Sequence, residues 1–453
     1  MEVFMDAYLD KFRQGMQYVN VVQPVTKKDL TNDIQINDDY LKLKTVKFIP
    51  ASGAATRMFK DLYIYLNEQR ENEFVKTFFE SLESFAFYED IKGLHFDPQR
   101  LGDRVDIIHL ILDEKLNYAK LPKALLKVHQ YENGSKTPID EHIEEAKQYL
   151  SHPVHLHFTI SKEHEGLFND YIKSYLSEGI IIDYSFQKDK TNTLAVDINN
   201  QPFQLLSGEY LFRPAGHGAL IENLNDIDAD MIFIKNIDNV CHQDHLQDTI
   251  HSKKQLASVG VKIKQEIDRL IKNLIDNDVD LEKINQFLIN VLHINYQQTL
   301  TKEQALKFLN RPLRVCGMVQ NTGEPGGGPF VVQHKDYQDL QIVEKSELNL
   351  NNPKTLDIFK QSMYFNPVDL VCFVKDYQGN KFNLLDFVNQ NRYFITEKNY
   401  KANPIKVLEH PGLWNGAMDD WNTVFVEVPL TTFNPIKTVN DLLRVGHQKK
   451  VVE

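Results

Sequence analysis

Cysteine, long apolar runs and positive charge are all scarce in this 453-residue chain. Three cysteines occur, Cys241, Cys316 and Cys372, odd in number and far apart. That spacing excludes a disulfide framework and a zinc pattern and points to a reducing cytoplasm. No apolar run approaches the ~20 residues of a membrane-spanning helix. Residues 1–15 carry acids and no long apolar core, so no signal peptide is expected. Lys and Arg total 51 against 63 Asp and Glu, a formal net charge of −12. Such a balance argues against a nucleic-acid partner, which needs a basic surface. It leaves small phosphorylated ligands open, because local charges and backbone amides bind those. There is no repeat, no low-complexity tract and no long flexible linker. A soluble, cytoplasmic protein with neither membrane nor nucleic-acid partner is expected, long enough for a large buried core and two or three domains.

What is present is an alternation of strand and helix patterns, which argues for an α/β fold with a mixed, mostly parallel central sheet flanked by helices. Residues 1–45 read as a polar, partly helical lead-in, and Val46 to Ile49 as the first strand. A small-residue loop, Pro50-Ala51-Ser52-Gly53-Ala54-Ala55, then leads through Thr56-Arg57 into an amphipathic helix from Phe59 to Leu66. Small side chains let backbone approach a phosphate, a helix start offers free N–H groups, and an arginine fork suits phosphate oxygens. The loop is not of the Walker type, since no Gly-Lys-Ser/Thr follows. Residues 61–120 read as a helical insertion whose Phe74, Phe78, Phe79 and Leu82 can share one packing face. Helix over 137–150 and strands over Val154–Ile160 and Ile180–Phe186 follow, and residues 255–292 read as long helix that covers the sheet or supports a homo-oligomer. The most informative stretch is Arg213-Pro214-Ala215-Gly216-His217-Gly218, followed by the apolar run Met231 to Ile234 that ends in Lys235-Asn236-Ile237-Asp238-Asn239. Open α/β sheets bind ligands beyond the carboxyl ends of their strands, and an acid there is placed to hold Mg²⁺ together with substrate phosphates.

Read together and in order, these segments resemble the sugar-nucleotide pyrophosphorylases. The first loop is similar to their small-Gly-Gly-x-Gly-Thr-Arg signature, and Leu121-Pro122-Lys123-Ala124-Leu125 to their Pro-Lys-x-Leu motif. Phe186-Gln187 resembles a base-proximal segment, the Gly-His-Gly and Asn-Ile-Asp-Asn stretches are similar to those of UDP-glucose pyrophosphorylase, and the whole series resembles the UDP-glucose and UDP-N-acetylglucosamine pyrophosphorylase group. Gln341 to Glu347 resembles the sugar-facing segment, Phe365-Asn366 a Phe-Asn-x-x-Asn site, and Phe433 to Thr438 the late Phe-x-Pro-x-Lys motif. The resemblance runs from Val46 to Leu443 and suggests a bacterial domain family of unknown function within the nucleotide-diphospho-sugar transferase superfamily. The chain departs from the pattern at Ala55, which replaces a loop glycine, at Ala219, which replaces an acid, and at Asp369, which stands where a second Asn is expected.

The resemblance implies a Rossmann-like GT-A fold with a catalytic domain over 46–400 and a C-terminal portion, 401–453, closing over the site. It implies a nucleotidyltransferase that joins a nucleoside triphosphate, with uracil as base, to a sugar 1-phosphate and releases pyrophosphate. Arg57 and the loop residues Ser52, Gly53, Ala54 and Thr56 would hold the triphosphate, and Lys123 and Lys437 would meet the phosphates. Asp238 would hold Mg²⁺. Gln187, Pro214 and Gly216 would touch the base and His217 the ligand, while Glu344, Asn366 and Asp369 would read the sugar. A non-catalytic nucleotide-sugar binder and a glycosyltransferase on the same fold are the alternatives. His155 and His157 read as structural or solvent-facing, Cys241 to His245 as a polar loop, and Gly323 to Pro329 as a phosphate cradle or, equally, a rigid hairpin or lid. Glu409 to Met418 reads as a loop that covers substrate.

Overall fold

A computed structural model describes residues 2–31, 35–94, 96–98, 100–176, 179–276, 280–323, 327–401 and 403–450. The protein is a mixed α/β molecule of two compact units, each assembled from three chain segments. One unit comprises Met1–Lys44, Gln187–Phe233 and Gln255–Val428, the other Thr45–Phe186, Ile234–Lys254 and Pro429–Glu453.

The unit that begins at Thr45 is built on three parallel strands, Thr45–Pro50, Val154–Ile160 and Ile180–Phe186. Lys47 pairs with Leu156 and Ile49 with Phe158, while Val154 pairs with Ile180 and Ile160 with Phe186. Buried strands of this kind read as near-continuous apolar runs, and Thr45–Pro50 is buried up to Ile49. It nevertheless carries a fully buried lysine, Lys47. The helix Pro138–Ala146 starts on a capping box in which the Thr137 and Asp140 side chains satisfy each other's backbone N–H groups, with Pro138 in the first turn. Helical segments of the insertion, Lys60–Glu68, Glu73–Glu80 and Leu101–His109, enclose an aromatic core. In it Phe78 meets Phe79 edge-on with centroids 5.2 Å apart and Phe85 stacks on Phe87 at 5.1 Å. These aromatic residues do pack.

His155 and His157, on alternate positions of one strand, both hydrogen-bond Asp183 on the neighbouring strand, and His157 Nε2 also reaches the Ser185 hydroxyl at 2.8 Å. The loop at Cys241 is less polar in setting than its composition suggests. Cys241 and His242 are buried, and the His242 ring stacks on Tyr131 at 4.3 Å.

The other unit is dominated by antiparallel pairing. Strand Leu313–Gln320 pairs antiparallel with Asp369–Phe373 and Tyr364–Phe365 and parallel with Asn422–Glu427. A second sheet joins Val21–Pro24, Gly328–Gln333, Tyr337–Val343 and Asn295–Tyr296, and a third joins Phe394–Tyr400, Asn403–Glu409, Thr193–Val196 and Phe212–Arg213. Strands joined by connections as short as residues 334–336 can only run antiparallel, while in this unit Leu313–Gln320 runs parallel to Asn422–Glu427. Two sequence expectations shift. The first strand is Val21–Pro24 within the lead-in, which also holds the helix Glu2–Gln14. The long helical stretch divides into Gln247–Ile275 and Leu281–Asn290. Of the Gly323 to Pro329 segment, residues 324–326 lie outside the described residues; Gly328 and Pro329 open a strand.

Candidate functional site

The residues singled out above gather in two clusters, one within each unit. In the unit that begins at Thr45, the strand Thr45–Pro50 delivers the small-residue loop, and Ser52, Gly53, Ala54, Thr56 and Arg57 are all exposed. The loop is held by its backbone. The Lys123 N–H donates to the Gly53 carbonyl at 3.2 Å, Ala54 bridges Pro122, and the Ser161 hydroxyl donates to the Ser52 carbonyl. The α-helix begins at Lys60, next to the expected Phe59. A five-residue 3₁₀ turn, Ala55–Phe59, intervenes before the helix Lys60–Glu68, because Ala55, Met58 and Phe59 are drawn into the core. The helix-end field expected at the loop therefore begins later in the chain. The Arg57 carbonyl accepts the Lys60 N–H, while its guanidinium has no ion pair among the described residues.

Pairing with Pro122 brings Lys123 round to the end of the strand Met231–Lys235. Its ammonium donates to Asp238 Oδ2 at 3.1 Å and to the Ile436 carbonyl at 2.7 Å. Lys437, from the far end of the chain, donates to the same Oδ2 at 2.9 Å. The turn carrying Asp238 is fixed on several sides. The Ile436 N–H meets the Asp238 carbonyl at 3.0 Å, the Ile237 N–H meets the Pro50 carbonyl, and Asn434 N–H donates to Asn239 Oδ1 at 2.8 Å. The Asp238 side chain is 11% exposed and that of Lys123 14%, whereas that of Lys437 is 63% exposed and free to follow a ligand. Burial disfavours the Asp238 charge, yet Lys123 and Lys437 outweigh it and hold the carboxyl below the usual carboxylate range.

No group of three or more His, Cys, Asp or Glu suited to a metal occurs among the described residues. Mg²⁺ commonly takes one or two carboxylates and completes its shell with phosphates and water. One buried carboxylate whose Oδ1 takes neither ammonium fits that mode and no all-protein cage. Chemically, the cluster offers a fixed anion between two cations beside an open backbone loop, a setting for phosphate oxygens.

The second cluster is built around Gly216-His217-Gly218. Strand pairing of Thr193 with Arg213 sets the Gln187–Thr191 turn near Pro214, and the Gln187 side chain donates to the Thr191 hydroxyl. His410 ties the two together, its N–H bonding the Ala215 carbonyl at 2.9 Å and its Nε2 the Thr191 carbonyl at 2.9 Å. The glycines are required by close approach. A Cβ on Gly218 would lie 2.0 Å from the Pro411 carbonyl oxygen, and one on Gly216, whose φ is +76°, would lie 2.6 Å from Glu409 Oε2. Segment 409–418 is thus the seat of the Gly-His-Gly loop.

His217 accepts at Nδ1 from the Leu413 N–H at 3.1 Å, which leaves its proton on Nε2. Its ring stacks on Trp414 at 4.3 Å. Burial lowers its pKa to about 4, opposed by Glu409, so the ring is neutral at pH 7. Nε2 lies 3.8 Å from Glu344 Oε1. Burial, then Glu347, pushes Glu344 up to about 7, against the pull of Arg392.

Sequence reasoning passed over Arg392 and Asp419, which help to hold this cluster. Arg392 donates to Glu347 Oε1 at 2.8 Å, to Asp419 and to the Ile342 carbonyl. Glu347 Oε2 in turn receives the Glu344 N–H at 2.8 Å and the Asn415 amide at 3.0 Å. The spaced Gly412 and Gly416 were the available signal. Asn366 borders Glu344 through Gly327, its N–H donating to the Gly327 carbonyl at 3.0 Å while its Oδ1 receives the Val368 N–H. Asp369 is 1% exposed inside its strand, under Gly317. That enclosure sets it apart from the solvent-accessible Glu344 and His217. Trp421 is likewise core.

Three comparisons bear on relationship. The chain is similar to the open and closed structures of the UDP-glucose pyrophosphorylase of Leishmania major, with TM-score 0.49 and 14% identity over 96% of this chain and 73% of that one. It is similar to a variant of that enzyme in complex with UDP-glucose, at the same score, identity and coverage. A UDP-glucose phosphorylase from Trypanosoma brucei matches with TM-score 0.48 and 14% identity, over 98% and 74%. No curated protein matches by sequence. The family described as "Domain of unknown function (DUF4301)" matches residues 3–448, and the chain belongs to it.

Proposed function

We propose that the chain is a pyrophosphorylase-type nucleotidyltransferase on a GT-A fold, joining a nucleoside triphosphate, with uracil as base, to a sugar 1-phosphate. The observation that carries the reading is the Lys123–Asp238–Lys437 cluster beside the exposed Ser52-Gly53-Ala54 loop. An oxygen of the sugar phosphate attacks the α-phosphorus in line. The new P–O bond forms as the bond to the β-phosphate bridging oxygen breaks, and pyrophosphate leaves with that electron pair. The attacking phosphate is already ionised, so the chain need supply no strong base. Its work is positioning and charge neutralisation. Lys123, tethered at two points, fixes a positive charge, and Lys437 contributes a mobile one. Arg57, Thr56 and the loop amides suit the β- and γ-phosphates. Asp238 would hold Mg²⁺, which would supply Lewis-acid neutralisation of phosphate charge.

In the other unit, Gln187, Pro214 and Gly216 suit a base edge, while His217 Nε2–H as donor and Glu344 as acceptor suit sugar hydroxyls, with Asn366 adjoining. Three free, buried cysteines accord with a cytoplasmic setting, and a homo-oligomer accords with the long helix Gln247–Ile275. No helix among the described residues is long and apolar enough to cross a membrane.

A thermal-shift screen with Mg²⁺ against nucleoside triphosphates, UDP-sugars and sugar 1-phosphates tests the reading, since a ligand that binds the folded state raises Tm. Stabilisation by UTP and by a UDP-sugar is the expected result. No response to any nucleotide would overturn it.

A further inference from the structure

Two lysines are buried where an apolar strand would ordinarily have none. Lys47, in the strand Thr45–Pro50, and Lys235, at the end of Met231–Lys235, are 0% and 1% exposed and share one carboxylate, Glu145 of the helix Pro138–Ala146. Lys47 Nζ reaches Glu145 Oε1 at 3.0 Å and the His142 carbonyl at 3.1 Å. Lys235 Nζ reaches Glu145 Oε2 at 2.8 Å, and the Tyr149 hydroxyl donates to Oε1 at 3.1 Å. A buried ion pair is a weak route to stability, and two ammonium groups on one carboxylate are costlier still.

The place of this cluster in the fold suggests what it is for. His142 Nε2 donates to the carbonyl of Ile237 at 3.3 Å, the residue before Asp238. Lys235 and Asp238 are three residues apart, so their Cα atoms lie within about 11 Å. The surplus charge therefore lies behind the turn that carries the phosphate-facing cluster.

We propose that the buried Lys47–Glu145–Lys235 cluster is an electrostatic element of the phosphate site, supplying fixed positive charge that a bound polyphosphate neutralises. The inference rests on the reading of Lys123, Asp238 and Lys437 as a phosphate site. At such a separation in a protein interior, one unit charge changes anion affinity by roughly tenfold. Burial is the main influence on Lys47. With repulsion from Lys235 and Lys253 it outweighs attraction to Glu145 and lowers the ammonium to about 7. The same lysines hold Glu145 ionised against its own burial, and His142, pushed well down by burial and Lys47, stays neutral. The Tyr149 ring lies 5.6 Å from the Lys47 ammonium. The element is thus charged below about pH 7 and weakened above it, and anion binding draws a proton onto Lys47.

The test is titration calorimetry of inorganic pyrophosphate with the full chain and with Lys47→Met, at pH 6.5 and pH 9. Lys47→Met leaves a balanced Lys235–Glu145 pair. Should it not fold, the variant Lys47→Met/Glu145→Leu/Lys235→Met removes every charge of the cluster. About tenfold weaker binding than wild type at pH 6.5, shrinking below about twofold at pH 9, is expected. Equal affinity at pH 6.5, or the same deficit at both pH values, would overturn the inference and leave the phosphate site standing. Failure of the wild-type chain to bind pyrophosphate would overturn both.

Discussion

At the scale of single residues, the account turns on Asp238 and Glu344. Asp238→Asn removes the charge that two ammonium groups share. Turnover should fall roughly 100- to 1,000-fold, while Tm falls modestly, because the exposed Lys437 can move away but the largely buried Lys123 keeps only the Ile436 carbonyl and the neutral amide as partners. Steady-state kinetics and a melting curve separate the two effects. Glu344 gives a pH test. Its pKa of about 7 means that the full acceptor capacity of a carboxylate is present only above that value. Affinity for a UDP-sugar, whose phosphates are already ionised, should therefore rise between pH 6 and pH 8. Glu344→Gln should bind several-fold more weakly at pH 8 and show no such rise. The place of Asp238, in a polar turn that ends an apolar run, was visible in the sequence, but that turn stood out only in company with the other motifs. The burial of Lys47 was not visible, since a lysine inside a short strand looks the same in sequence whether it faces water or a glutamate on a distant helix.

Elements bring in constraints that no single residue shows. The Gly-His-Gly loop seats on segment 409–418 so closely that Gly218→Ala would drive a Cβ into the Pro411 carbonyl. Backbone cannot yield as a side chain does, so a loss of about 3 kcal/mol is expected, at the upper end of overpacking costs, and chemical denaturation would measure it. Gly53→Ala is the contrast. A Cβ there meets nothing within 4 Å, so stability should hold, while UTP affinity should drop if a phosphate approaches that backbone. Arg392→Met would leave Glu347 and Asp419 buried without their partner, and a cost of ~3–5 kcal/mol is expected. The sequence pattern located the strands at 154–160 and 180–186 and the packing role of the insertion aromatics, because periodicity reports which side faces the core. It placed the helix start at Phe59, one residue from the observed Lys60, but gave no sign that burial of Ala55, Met58 and Phe59 winds the preceding turn as 3₁₀. The partner of the Gly-His-Gly loop is some 190 residues further on, a long-range contact that local patterns do not record.

For the molecule as a whole, the ordered series of motifs was legible, and the motif residues gather in two clusters, one around Asp238 and one around His217. How chain segments combine was not legible. Each compact unit draws on three separate stretches, and Lys437 reaches Asp238 across 199 positions of sequence. Net charge of −12 coexists with a local concentration of lysine around one aspartate, which is why overall charge constrained the class of partner and not the site. The measurement that tests the central claim most directly is pyrophosphate release from UTP and Mg²⁺ with a panel of sugar 1-phosphates, run beside Asp238→Asn. The account predicts one pyrophosphate per nucleotide-sugar formed with at least one sugar, and near-complete loss in the variant. A chain that binds a UDP-sugar yet releases no pyrophosphate with any sugar 1-phosphate would contradict it.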